Sequence, residues 1–159
     1  MAYDIFLKID GIEGEAQDSK HKNELQIESC SVGAEVGVVR SPGTAGVVHD
    51  ATFTAVASKA GPKLAQACAS GTSINSVVLT FRKSGGTQVE FLVVTFSSVL
   101  ISSYSLGGKS KSNNQIPTER FTLNFAKIAY DYRAQKPDGG LSGAIKTSYA
   151  VQSETGQGQ

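Results

Sequence analysis

Asp18, His21 and Glu24 stand at i, i+3 and i+6 in the polar run GIEGEAQDSKHKNE, and side chains of these types are common oxygen and nitrogen donors to metal ions. The run has no apolar periodicity, so it reads as a loop and the three residues as a solvated turn rather than a metal site. Glu13, Glu15 and Asp18 in the same run could gather carboxylates for acid–base work, but no aromatic residues suited to a sugar lie near them. His49 and Asp50 are adjacent, which in a strand sends them to opposite faces and argues against a catalytic pair. Gly43-Thr44-Ala45-Gly46 lacks the Lys and Ser/Thr of a phosphate cradle, and neither H-E-x-x-H nor G-x-S-x-G occurs. Cys30 and Cys68 lie far apart, outside any C-x-x-C pair, which predicts free thiols in a reducing compartment. These residues together predict no catalytic set, no metal and no cofactor.

The balance of charge excludes further classes. With 15 basic and 14 acidic residues and a formal charge of +1, the chain has no clustered Lys and Arg for nucleic acid or anionic lipid. The start MAYDIFLKIDG alternates and carries Asp4 and Asp10, so it reads as a strand and not as a signal peptide or membrane span. A soluble chain made in the cytoplasm is expected, with no membrane insertion, and any export must use another route than the general secretory signal. The 159 residues suit one domain over 1–152 followed by a polar tail over 153–159.

The elements that must position these residues are almost all strands. Tyr3 to Asp10 alternates with Ile5, Leu7 and Ile9 on one face, and a second strand begins at Leu25 and Ile27. Val47 to Lys59, Ile74 to Lys83, Thr87 to Tyr104, Thr118 to Arg133 and Ala144 to Gln152 supply the rest, with a tight turn at Ser84-Gly85-Gly86. One short helix interrupts them over Gly61 to Gly71, with Pro62 at its first position, glycine past its end and a stripe of Leu64, Ala67 and Cys68. Cys68 reads as a small buried residue on that stripe. A mainly β domain follows, a sandwich or barrel flanked by one helix.

Three segments exceed what such a core requires. In TERFTLNFAKIAYDYR, Phe121, Leu123 and Phe125 alternate, then Ile128, Tyr130 and Tyr132 alternate with opposite parity. Either a bulge near Ala126 and Lys127 restores the register, or the first half packs a core and the second half, through Tyr130 and Tyr132, packs another subunit. Phe91, Leu92, Val93, Val94 and Phe96 are apolar on both faces, so each face needs cover, one from the helix and the other from a neighbour. The run Val38, Val39, Arg40, Ser41, Pro42, Gly43, Thr44, Ala45, Gly46, Val47, Val48 reads as an arm that reaches to an adjacent subunit.

Four ordered blocks, FLKIDGIEGEAQDSKHKNEL, SKAGPKLAQACASG, LTFRKSGGTQVEFLVVTFSSVLISSYSLGG and PTERFTLNFAKIAYDYRAQKPDG, resemble the Hcp family, the haemolysin-coregulated proteins of the type VI secretion system. The resemblance runs from Ala2 to about Gly140. It implies a β-barrel of two sheets flanked by one helix, six subunits closed into a ring, and rings stacked into a tube that a contractile sheath expels. It also implies sheath, spike and effector partners, a secreted end point, and effectors held and protected inside the ring. Ser31, in a hydroxyl-rich stretch, is the candidate for a side chain facing that lumen. Two departures stand out: family members often carry Trp in the strand that here reads Ser29-Cys30-Ser31-Val32-Gly33, and the family's G-E-S is here Gly14-Glu15-Ala16. The alternative from another class is a small monomeric or dimeric β-barrel that binds a soluble ligand in a concave site.

Overall fold

The computed structural model describes residues 3–35, 47–84, 88–110, 116–138 and 140–151. In chain order it contains β1 (Tyr3–Ile9), β2 (Leu25–Gln26), β3 (Ser29–Ser31), β4 (Ala34–Glu35), β5 (Val47–Val48), β6 (Ala51–Val56), α1 (Ala60–Ser70), β7 (Ile74–Lys83), β8 (Glu90–Gly107), β9 (Thr118–Tyr132) and β10 (Ile145–Ala150). An eight-stranded antiparallel sheet runs β2-β1-β7-β8-β9-β6-β3, with β10 paired to the far half of β9, and β4 and β5 form a separate two-stranded sheet. The two expected sheets are therefore very unequal.

The curl of the large sheet is set at its edges. β2 and β3 are consecutive in sequence yet occupy opposite ends of the strand order. The change of partner takes one peptide: Ile27 donates to the Ile5 carbonyl on β1, and Glu28 donates to the Thr54 carbonyl on β6. Residues 25–31 thus draw the two edges together. The strand expected to begin at Leu25 and Ile27 is split for this reason, because a straight strand has one pair of neighbours and this segment must join two. The expected strand from Val47 to Lys59 is split as well: β5 belongs to the small sheet and β6 to the large one, with His49 and Asp50 between them.

Inside the curl lie Phe53, Phe96, Phe121, Leu7, Leu79 and Leu123, all fully buried. Phe53 stacks on Phe121 at 5.4 Å between centroids and meets Phe96 edge-on at 6.3 Å. Each such ring contributes about 1.5–3 kcal/mol of transfer energy. Helix α1 covers one side with Leu64 and Ala67 and ends at Gly71 in the left-handed conformation (φ 64°). It begins at Ala60, so Pro62 falls third, where its missing N–H is still harmless within the first turn.

The change of parity along β9 is resolved by an irregularity and not by a change of sheet face. Core-facing positions step by three, from Phe125 to Ile128 on β9 and from Phe96 to Val99 on β8, while the pairing offset stays constant through Ser97–Lys127 and Val99–Phe125. Ser98 takes φ 53° at this point, and Ala126 and Lys127 are both exposed. Both strands turn over together, so Tyr130 and Tyr132 continue the core-facing side.

Candidate functional site

Outside the curl, the β1–β7 half of the sheet is covered by its own loop. Phe6 and Thr80 sit opposite each other and Asp4 sits opposite Arg82, all pointing away from the core. Residues 11–24 fold over them, knit by backbone bonds from Gly14 to the Asn23 carbonyl, from Ala16 to Glu24 and from Asn23 to Ala16. Beneath this cover Arg82, 2 % exposed, donates from both terminal nitrogens to the Asp18 carboxylate at 2.8 Å and lies 4.8 Å from the Phe6 ring. The guanidinium holds the Asp18 carboxyl well below the usual carboxylate range, and Asp18 in turn raises Arg82. His21 stacks on Phe6 at 4.4 Å, with Nδ1 2.7 Å from Glu24 and Nε2 2.8 Å from Glu90. Both are hydrogen bonds only when the ring carries a proton on each nitrogen.

The expected trio Asp18, His21 and Glu24 therefore divides. His21 and Glu24 meet each other, but Asp18 is committed to Arg82, and among the described residues no three metal-type ligands converge. The loop is a clamp rather than a solvated turn. The sequence signal for it was Phe6, an aromatic on the wrong face of an alternating strand.

Among the described residues nothing covers the β3–β6–β9–β8 half of the outer face. Register places Ser31, Thr52, Thr122 and Ser103 in one row, and Ser29, Thr54, Arg120 and Ser105 in the next. Hydroxyls pair across strands: Ser29 with Thr54 at 2.5 Å, and Thr122 with Ser102 at 2.6 Å and Ser103 at 2.7 Å. Asp50 accepts from Ser102 at 2.7 Å and from Asn124 at 2.9 Å. Ser31 is exposed on this face, as a water-facing side chain must be. Its row mates come from segments far apart in the chain, and pairing alone brings them together.

A third surface lies where the curl opens. Tyr3, Ile5, Cys30, Val32, Phe81, Leu92, Val94 and Tyr130 line an open groove of about 420 Å³ that is continuous with the core. Burial pushes the Cys30 and Tyr130 groups up from their ordinary values. Beside it, Tyr132 pairs with Ile145 and Ile128 with Tyr149, so Tyr130, Tyr132, Ile145 and Tyr149 form an exposed apolar patch on one face. Ile145 is 64 % exposed. Alternation over Tyr130 and Tyr132 pointed to this patch, but Ile145 and Tyr149 join it only through strand pairing.

Near the helix, Glu119 is fully buried on β9, accepting from Tyr104 Oη at 2.9 Å and from Ser58 at 3.5 Å. Burial raises the Glu119 carboxyl, and burial with the neighbouring carboxylate pushes the Tyr104 hydroxyl up to about 12. These groups hold the start of α1 to the sheet. Of the proposed arm, Val38, Val39, Arg40, Ser41, Pro42, Gly43, Thr44, Ala45 and Gly46 lie outside the described residues, as do Gly85 and Gly86 of the expected turn and the tail over 153–159. Val47 and Val48 form β5, which pairs with β4 in the small sheet, and Val48 packs against the core.

A family profile described as "Type VI secretion system effector, Hcp" matches residues 6–132. The chain is 40 % identical over 149 residues to Protein hcp1 of Pseudomonas aeruginosa, covering 90 % of this chain and 91 % of that one. Among solved structures it is similar to Hcp1 from Salmonella typhimurium, with a TM-score of 0.79, 33 % identity, and coverage of 94 % of this chain and 95 % of that one. It is also similar to a type VI secretion system effector from Yersinia pestis, with a TM-score of 0.77, 32 % identity, and coverage of 93 % and 100 %.

Proposed function

The chain belongs to the Hcp family of the type VI secretion system, and from that membership we propose that it is the tube subunit: six copies close into a ring, rings stack, and the tube leaves the cell with the effectors it carries. One observation supports this reading above the rest. The exposed surface is divided into a face that needs a partner and a face that does not, namely the apolar patch at Tyr130, Tyr132, Ile145 and Tyr149 on the core-facing side, and the hydroxyl rows at Ser31, Thr52 and Thr122 on the outer side.

In a closed ring the first face meets the adjacent subunit, since a patch continuous with the core gains most from being covered. The second face lines the lumen, where hydroxyls bonded to one another tolerate water and any cargo surface. The arm over Val38 to Val48 reaches a neighbouring subunit from the β4–β5 ribbon. Residues 1–152 act as one domain, and sheath and spike proteins are the partners outside the ring.

Light scattering and negative-stain electron microscopy of the purified protein test the assembly. Rings are expected for the natural sequence, and Tyr132→Glu is expected to yield folded monomers. A Tyr132→Glu protein that keeps its rings and loses only thermal stability would place the interface elsewhere.

A further inference from the structure

The two hydroxyl rows contain one charged side chain, Arg120, and their other members leave it unmet. Ser29 bonds to Thr54 in one row, and Thr122 bonds to Ser103 in the other and to the adjacent Ser102. The carboxylate of Asp50 is occupied by Ser102 and Asn124. Arg120 is exposed between Thr54 and Ser105 in register, and among the described residues its side chain forms neither an ion pair nor a hydrogen bond. Contrast Arg82 on the same sheet, which is met by Asp18 and Asp4.

We infer that Arg120 makes this face selective for partners that present carboxylates, so that the subunit carries effector proteins with an acidic patch. The inference rests on the lumen reading given above and adds the chemistry of the cargo to it. A planar guanidinium with several N–H donors matches a carboxylate in two-point geometry. One exposed pair of this kind is weak and screened by salt. Six copies facing a common space raise the local density of such donors, and a cargo that meets two or more of them gains by multivalency. The formal charge of the chain is only +1, so a preference for acidic cargo has to come from where the cation sits and not from a generally basic protein.

The test uses purified full-length protein and a fluorescein-labelled peptide of alternating glutamate and glycine, read by fluorescence anisotropy at low salt, with ring formation checked by light scattering. The natural protein is expected to bind the peptide, Arg120→Gln to bind it on the order of tenfold more weakly, and Arg120→Glu to prefer a peptide of alternating lysine and glycine. Lys127→Gln, which removes a cation farther along the outer face of β9, is expected to change nothing. Intact rings with equal binding by the natural protein and Arg120→Gln would overturn the inference and leave the tube reading standing. An equal loss in Lys127→Gln would also overturn it, by showing general attraction to basic side chains. A natural protein that forms no rings would overturn the tube reading and this inference with it.

Discussion

Two halves of one outer sheet face meet water in opposite ways. The β1–β7 half carries Phe6, Thr80 and Arg82, all almost fully buried, because residues 11–24 lie over them. The β3–β6–β9–β8 half carries serines and threonines and has no cover within the chain among the described residues. In the covered half a cation is dry and must be paired. In the open half water can solvate whatever the chain leaves unpaired, so the same charge on Arg120 costs little. The first half is closed by the chain's own loop and the second is left free for contacts, and each substitution below presses on that division.

The largest effect is expected from Arg82→Ala, which leaves Asp18 in the loop and Asp4 on β1 without their cation. Asp18 and Asp4 are partly exposed, so loss of the charged hydrogen bonds is expected to cost about 2–3 kcal/mol, and Arg82 also contributes its stack on Phe6. Urea unfolding monitored by circular dichroism should show a correspondingly lower midpoint. A loss under about 1 kcal/mol would mean that the loop is not a stabilising cover.

Gly14→Ala presses on the same half from the loop side. A Cβ there would stand 2.6 Å from the Glu24 carbonyl oxygen and 2.8 Å from the Leu25 Cα, and neither backbone atom can step aside cheaply. An overpacking cost of about 1–3 kcal/mol is expected, with faster amide exchange confined to residues 13–24. Uniform exchange across the sheet would instead show that loop and sheet unfold as one unit.

Acidity separates two carboxyls shifted in opposite directions. Asp18 is held low, so its contribution is in place above its unfolded value of about 3.9 and is lost as acid titrates the folded group. Glu119 is held high, so the fold favours its proton, and stability declines as pH rises from its unfolded value of about 4.3 through the raised folded one. Glu119→Gln should therefore flatten the decline on the alkaline side, whereas Asp18→Asn should flatten the acid side. Unchanged slopes in thermal melts across pH would contradict both assignments.

The smallest effect belongs to the open half. Thr52→Ala removes an exposed-face hydroxyl and should change stability by less than about 0.5 kcal/mol, with rings intact. Ser31→Gln, which adds bulk at the same face, should be equally mild for folding and should reduce recovery of co-expressed effector if that face lines the lumen. A loss of rings in Ser31→Gln would move this row from the lumen to a subunit boundary.

Much of this molecule was legible from residue order. The alternation of Ile5, Leu7 and Ile9, the helix closed by Gly71 and the reversal of parity beyond Phe125 are local patterns, and local patterns survive translation into strands and turns because sterics act between near neighbours. The ordered blocks also carried the family. What residue order left open were relations across the chain. Whether Tyr130 shares a face with Phe125 depended on Ser98 and Ala126 turning over together in two paired strands. Asp18 and His21 could have been read as ligands until Arg82 and Phe6, some distance away in sequence, were brought beneath them. The rows joining Ser31 to Thr52 and Thr122, and the isolation of Arg120 among hydroxyls, exist only in the register of four strands. Register is a tertiary quantity, because a shift of one residue reverses every side chain at little cost to the backbone bonds, and only burial of the core on the other face decides between the two.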